Sequence, residues 1–182
     1  MRKGVLIAVA TVSLLGACRQ AEQRNTAANE PATAGSGGNG AAPAAAPVSA
    51  DEAQKIFHER HEGMEEIGKS TKAVSQALKS DSPDLGVIRK SAATVNDLAA
   101  RSEKWFPAGT GQDVLPKTRA LPPIWQKPED FAAKDRDFQA AAKAFNAAAV
   151  SGDLIAIKSS FEPLGKSCKA CHDTYRAEHH PK

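Results

Sequence analysis

Three residues close to the end of the chain have the types and spacing of a cofactor attachment site. Cys168, Cys171 and His172 stand in the pattern Cys-Lys-Ala-Cys-His. Two thiols three positions apart can each form a thioether with one vinyl group of the same porphyrin, and the adjacent imidazole can then bind the iron. The pattern predicts one covalently attached haem c per chain, with His172 as an iron ligand.

Other chemistry is open to the same two cysteines: a disulfide, half of a zinc site or a thioredoxin-like redox pair. A structural zinc site needs further ligands at a matching spacing. The four remaining histidines do not supply a recognisable set; they are His58, His61, His179 and His180. A thioredoxin-like pair belongs to a βαβ pattern, which this sequence lacks.

The third cysteine, Cys18, lies at the end of an export signal. A basic start is followed by an apolar stretch over residues 4–15 and by Leu-Gly-Ala-Cys at 15–18. This segment resembles a bacterial lipoprotein signal, so residues 1–17 are expected to be removed and Cys18 to be lipidated. The alternative is an ordinary cleavable signal ending at Ala17, and both interpretations export the chain.

Residues 18–49 have a different composition, dominated by Ala, Gly, Pro and small polar residues. Such a segment cannot bury enough apolar surface to fold. We expect a flexible tether with a reach of about 30 Å, or a leader without a spacing role. In the lipoproteins that the segment resembles, an aspartate after the cysteine favours inner-membrane retention. Arg19 therefore predicts a periplasmic protein anchored in the outer rather than the inner membrane.

Residues 50–182 form one domain's worth of sequence with helical periodicity. Apolar residues recur every three or four positions in four segments. The segments run over about 51–79, from Ser82-Pro83 toward Trp105, from Pro128, and from about Asp153. The pattern predicts an all-α domain, an antiparallel four-helix bundle.

The connections between these segments differ in length. Short turns at 80–81 and 151–152 suit antiparallel neighbours, whereas 107–127 forms a long loop between helices 2 and 3. Three apolar residues are expected to hold that loop against the bundle: Leu121, Ile124 and Trp125. Pro163 falls inside the fourth segment and predicts a kink, or a break before Gly165.

Several of these features together resemble the class II cytochromes c, which include cytochrome c-prime and its low-spin, six-coordinate relatives. The matching residues are the C-terminal haem motif, Arg60 and Met64 on the first helix, Trp-Phe-Pro at 105–107, and Lys-Thr-Arg-Ala at 117–120. A class I cytochrome c has the haem motif first and the methionine later, the reverse of the order here. The resemblance implies an up-down-up-down bundle.

The sixth coordination position of the iron decides between two functions. Met64 is the only methionine outside the signal segment. A methionine ligand raises the reduction potential and suits electron transfer, whereas an open position binds nitric oxide or carbon monoxide. Three arrangements stay open: ligation by Met64, a vacant position shielded by Met64, or ligation by His58 or His61.

Two arginines are candidate haem-binding residues. Arg60 lies one turn before Met64 on the same helix face, where the periodicity asks for an apolar residue. It can pair with a haem propionate, which is also the role that the resemblance implies, or it can extend to solvent. Arg176 lies one turn after His172. The resemblance places it against the proximal side of the haem; otherwise it is a solvated surface charge.

The function expected from these features is transfer of single electrons in the bacterial periplasm, with five-coordinate binding of nitric oxide or carbon monoxide as the alternative. No nucleophile and base pair indicates an enzyme. Expected partners are periplasmic redox proteins, the membrane through Cys18, and a second copy of the chain, since c-prime proteins often dimerise. The formal net charge is only +3, and no basic stripe indicates nucleic-acid binding.

Overall fold

The computed structural model describes residues 46–178. These residues form five α-helices and a single 3-10 turn, with no β-strand among them. The elements are α1 (Ala50–Ala77), α2 (Leu85–Ala99), the 3-10 turn (Ser102–Trp105), α3 (Pro123–Gln126), α4 (Pro128–Ser151) and α5 (Leu154–Tyr175). The predicted signal segment, Cys18, nearly all of the predicted tether, and the last four residues lie outside the described part of the chain.

The four long helices make the expected bundle. α1 packs against α2, α2 against α4, and α4 against α5. The side chains at the centre of these contacts are inaccessible to solvent; they include Val74, Ile88, Val95, Phe145 and Ile157, each 0% exposed. The prediction of an all-α four-helix bundle is confirmed. α1 and α5 are not packed against each other as these pairs are, and this leaves a space between the two helices.

Two helix boundaries follow from capping side chains. α2 begins two residues later than the Ser82-Pro83 pair predicted, because the Asp84 carboxylate accepts hydrogen bonds from the backbone N–H groups of Gly86 (2.8 Å) and Val87 (3.1 Å). The start of α2 predicted from Ser82-Pro83 was therefore wrong. α4 ends at Ser151 and is followed by Gly152, whose φ of 77° is a left-handed conformation that glycine adopts without strain.

The predicted break in the last helix does not occur. α5 is continuous through Pro163 to Tyr175. Proline removes the bond that the Ser159 carbonyl would otherwise accept. Both residues lie on the exposed face, where water can hydrogen-bond that carbonyl instead.

The long connection between α2 and α4 packs against the bundle, as expected. Its buried residues include Thr110, Leu115, Thr118 and Ile124, none more than 3% exposed. Residues 119–121 also pair with the end of α5: Leu121 N–H donates to the Tyr175 carbonyl (3.0 Å), and Ala177 N–H donates to the Arg119 carbonyl (2.8 Å). Within residues 46–178, no helix is both long and apolar enough to cross a membrane.

Candidate haem-binding site

A cavity of about 460 Å³ lies among α1, α4, α5 and the long connection. That volume falls within the range usual for cofactor pockets. Much of its wall is aromatic or aliphatic: Phe57, Ile67, Phe106, Ile124, Phe131 and Phe138. All of the residues predicted for the haem also line it: Arg60, Met64, Cys168, Cys171, His172 and Arg176. Such a wall suits the flat, apolar ring of a porphyrin.

The two cysteines lie on the last turns of α5, where positions three and four apart share one helix face. Both thiols are half-buried and unpaired. Burial raises the pKa of both thiols, and for Cys171 burial followed by the charge of Asp135 raises it to about 11. A thioredoxin-like pair needs a thiol with a lowered pKa, so this environment disfavours that alternative.

A zinc site finds equally little support. Within the described residues, no three His, Cys, Asp or Glu side chains come together as a metal-binding group. The imidazole next to the cysteines is that of His172, while His61 lines the cavity from α1. One imidazole suits an iron whose four equatorial ligands come from a porphyrin.

His172 is held as a neutral imidazole. Burial, followed by the charges of Arg176 and Arg119, lowers its pKa to about 4. The neutral ring has a lone pair available at neutral pH, which is the form that binds a metal. The side chains present in this cavity therefore fit covalent haem with His172 as a ligand.

The three candidates for the sixth position differ in where they lie. Met64 is half-buried, lines the cavity and packs against the main core. His61 also lines the cavity, but its imidazole is exposed and lies 3.3 Å from the carboxylate of Glu65. His58 is exposed and is not among the lining residues. The position of His58 therefore does not suit ligation of an iron in this cavity.

Arg60 does not extend to solvent, so the structure contradicts the alternative of a solvent-exposed arginine. It is 5% exposed. Its Nη1 donates to the Trp105 carbonyl (3.0 Å) and to Thr110 Oγ1 (3.3 Å), and its Nη2 donates to the Thr110 carbonyl (3.2 Å) and to Thr118 Oγ1 (2.9 Å). Burial lowers its pKa to about 10, which leaves the guanidinium charged at neutral pH.

These hydrogen bonds change what Arg60 can offer a haem. Four of its five N–H donors are used by Trp105 in the 3-10 turn and by Thr110 and Thr118 in the long connection. Only Nε–H has no hydrogen bond within the described residues, so a two-pronged pair with a propionate is not available in this orientation. The guanidinium also lies over the rings of Phe57 (5.9 Å) and Phe106 (5.0 Å), both of which line the cavity.

Arg176 lies at the exposed edge of the cavity, directly after α5. Two further cations line the cavity, Lys117 and Arg119. Arg119 Nε donates to the Ala177 carbonyl (2.8 Å), which joins the connection to the end of α5. The sequence indicated Lys117 and Arg119 only through the family resemblance. No pattern in a loop sequence shows which helix the loop will contact.

Asp135 on α4 is a lining residue that the sequence analysis missed. It is 9% exposed and stands four positions after Phe131, on the apolar face of its helix. A charged residue on an apolar stripe was the available signal, the same one that singled out Arg60. Phe131 itself makes edge contacts with Phe106 (4.9 Å between ring centroids) and Tyr175 (5.2 Å).

Comparisons with known proteins identify the family of this chain. The family model described as Cytochrome C′ matches residues 55–176. Cytochrome c-554 of Cereibacter sphaeroides is 33% identical over 137 residues, 72% of this chain and 89% of the relative. The cytochrome c′ structure from Thermochromatium tepidum is 31% identical, with a TM-score of 0.63, covering 73% of this chain and 100% of that one.

A further solved cytochrome c′ is described by a ligand-controlled dimer dissociation. It is 28% identical, with a TM-score of 0.62, and covers 73% of this chain and 100% of that chain. The family match spans the haem motif, the methionine-bearing helix and the long connection between them. The chain therefore belongs to the cytochrome c′ family, the class II cytochromes c, and carries one covalently attached haem c.

Proposed function

We propose that this class II cytochrome c carries single electrons, with His172 and Met64 as the two axial ligands of its iron. The observation that carries the proposal is that both side chains line one cavity, from α5 and α1. The haem supplies an iron that alternates between the ferric and ferrous states, and an axial methionine raises its reduction potential.

The protein contributes a largely apolar lining and a hydrogen bond at its end. The apolar wall that includes Phe106, Phe131 and Phe138 would border the haem and limit its contact with water. Tyr175, which is 2% exposed, donates a hydrogen bond to Asp130 and so ties the turn after His172 to α4. A site that keeps its shape needs little reorganisation when the electron arrives or leaves.

Absorption spectra of the purified protein in both oxidation states test this proposal. We expect low-spin spectra and no reaction of the ferrous protein with carbon monoxide. A high-spin ferrous protein that binds carbon monoxide readily would exclude Met64 as a ligand in that state.

Binding of nitric oxide or carbon monoxide is the second candidate function. It is favoured by the ligand-controlled dissociation described for the related cytochrome c′. In this alternative Met64 forms only the wall over an open iron. The same relative supports a homodimer, and sedimentation with and without carbon monoxide tests both ideas together.

We also propose that the chain is a periplasmic lipoprotein held by Cys18 in the outer membrane, with periplasmic redox proteins as electron partners and no catalytic turnover of its own. The Leu-Gly-Ala-Cys sequence and the polar segment after it support the anchor. Labelled fatty acid should enter the wild-type protein but not Cys18→Ser. Absence of label from the wild type would favour ordinary secretion.

A further inference from the structure

Asp135 carries a buried carboxylate that the proposed chemistry does not use. It lines the haem cavity from α4 and is 9% exposed. Among residues 46–178, no Lys, Arg or His nitrogen lies within 4 Å of its oxygens. The neighbouring Lys134 ammonium lies 3.9 Å from Asp130 instead.

Two neutral side chains hold this carboxylate. Ser102 Oγ lies 2.5 Å from Oδ1, and the amide nitrogen of Gln139 donates to Oδ2 at 2.7 Å. A distance of about 2.5–2.7 Å is typical of a hydroxyl donating to an ionised oxygen. Two donors and no cationic nitrogen within 4 Å among the described residues indicate an anion that is hydrogen-bonded but not part of an ion pair.

Ser102 Oγ also lies 2.8 Å from the Ala99 carbonyl. The single hydroxyl proton of Ser102 therefore has two acceptors nearby, and the Asp135 oxygen is the closer of the two.

Asp135 lines the same cavity as the haem attachment residues Cys168, Cys171 and His172. Reduction of ferric haem adds one electron and lowers the charge at the iron by one unit. A fixed anion at the cavity wall opposes that change because it interacts more favourably with the ferric state.

We propose that the ionised Asp135 carboxylate, held by Ser102 and Gln139, lowers the reduction potential of the haem in this protein. The proposal depends on haem in the cavity but not on the sixth ligand, so it applies to a carrier and to a gas-binding protein alike. A measurement can therefore contradict this proposal without contradicting ligation by Met64, and the reverse also holds.

The test is the midpoint potential of the haem-loaded protein at pH 7, measured by spectroelectrochemical titration. In the Asp135→Asn variant the electrode still supplies one electron to each ferric haem. The negative charge at position 135 that opposes this reduction is then absent. We expect reduction to become more favourable by about tenfold in equilibrium constant, which is 59 mV for a one-electron couple. The spectra of both states should stay unchanged.

Two variants make the result specific. Asp137→Asn removes the same charge from an exposed position on the same helix, where solvent screens it, and should change the potential much less. Asp135→Glu keeps the charge and should retain a potential near the wild-type value. If Asp135→Asn fails to assemble, Asp135→Ser removes the charge with a smaller polar side chain.

Three results would overturn the proposal. A potential unchanged in Asp135→Asn or Asp135→Ser would mean that the Asp135 carboxylate does not affect the haem. A shift no larger than that of Asp137→Asn would mean that only the net charge of the protein matters. An altered spectrum accompanying the shift would assign Asp135 a structural role in place of an electrostatic one.

Discussion

The indole of Trp105 lies directly over the backbone of Gly63 on α1. A Cβ at position 63 would come within 2.5 Å of Cη2 and 2.7 Å of Cζ2 of that ring. Trp105 is 1% exposed, and its Nε1–H donates to the carboxylate of Glu59 (3.2 Å). The ring can approach α1 this closely only because residue 63 has no side chain.

This contact predicts that Gly63→Ala destabilises the protein. The added methyl group must displace a large buried ring, and overpacking of this kind costs about 1–3 kcal/mol. Urea unfolding measures the change. Gly165→Ala on α5 is the matched control, because a Cβ there meets nothing within 4 Å. It should be neutral or stabilise by up to about 1 kcal/mol. Equal effects of the two substitutions would contradict the proposed clash.

Arg60→Lys should loosen the long connection. A lysine ammonium cannot satisfy the four contacts that the planar guanidinium makes with Trp105, Thr110 and Thr118. We expect a loss of about 3 kcal/mol of stability, since hydrogen bonds to charged groups are among the stronger ones. Hydrogen exchange of the amides over 106–120 should become faster. Arg136→Lys, at an exposed site on α4, should leave both quantities unchanged. If exchange in that segment stays slow, Arg60 does not anchor it.

Substitution of Met64 distinguishes a ligand from a wall. If Met64 binds the iron, both Met64→Ala and Met64→Leu lose the thioether, become high-spin, bind carbon monoxide and have a lower reduction potential. If Met64 only covers the iron, Met64→Leu should retain the wild-type spectrum, because leucine fills a similar volume. Absorption spectra and carbon monoxide titrations of the two variants decide the question.

The stability of the protein should fall above pH 10 because of Tyr175. Burial, followed by the hydrogen bond and charge of Asp130, raises the pKa of Tyr175 to about 12 from an ordinary value of 10.0. Between these values the unfolded chain releases the phenolic proton and the native protein keeps it, so rising pH favours unfolding. The stabilisation is present below pH 10 and is lost toward pH 12.

Urea unfolding of the wild type and of Tyr175→Phe between pH 8 and about 12 isolates this effect. The stability difference between the two proteins should be constant up to about pH 10 and then change in favour of the variant. Parallel pH profiles for the two proteins would show that Tyr175 does not couple proton release to folding.

Local features of the sequence determined the chemistry and the secondary structure. The Cys-x-x-Cys-His motif needs only five consecutive residues, whose two cysteines and histidine share one helix face, and amphipathic periodicity and capping residues act within one or two turns. These features identified haem c, the four long helices and the turn at 151–152. The connection over 78–84 is longer than the turn predicted at 80–81. The start of α2 was misplaced because Asp84 competes as a cap, and the break at Pro163 was wrong because the lost bond faces solvent.

Tertiary structure decided how the cavity is built. Arg60 meets Trp105, Thr110 and Thr118 across 45 to 58 positions of sequence, and no local pattern specifies such a contact. Asp135 became a cavity residue only when α4 packed beside α5. Loop closure and helix packing bring these groups together. A charged side chain that becomes buried is stable only where hydrogen-bond partners lie within its reach. The sequence thus determined which cofactor is bound, and the packing of the helices determined which charges surround it.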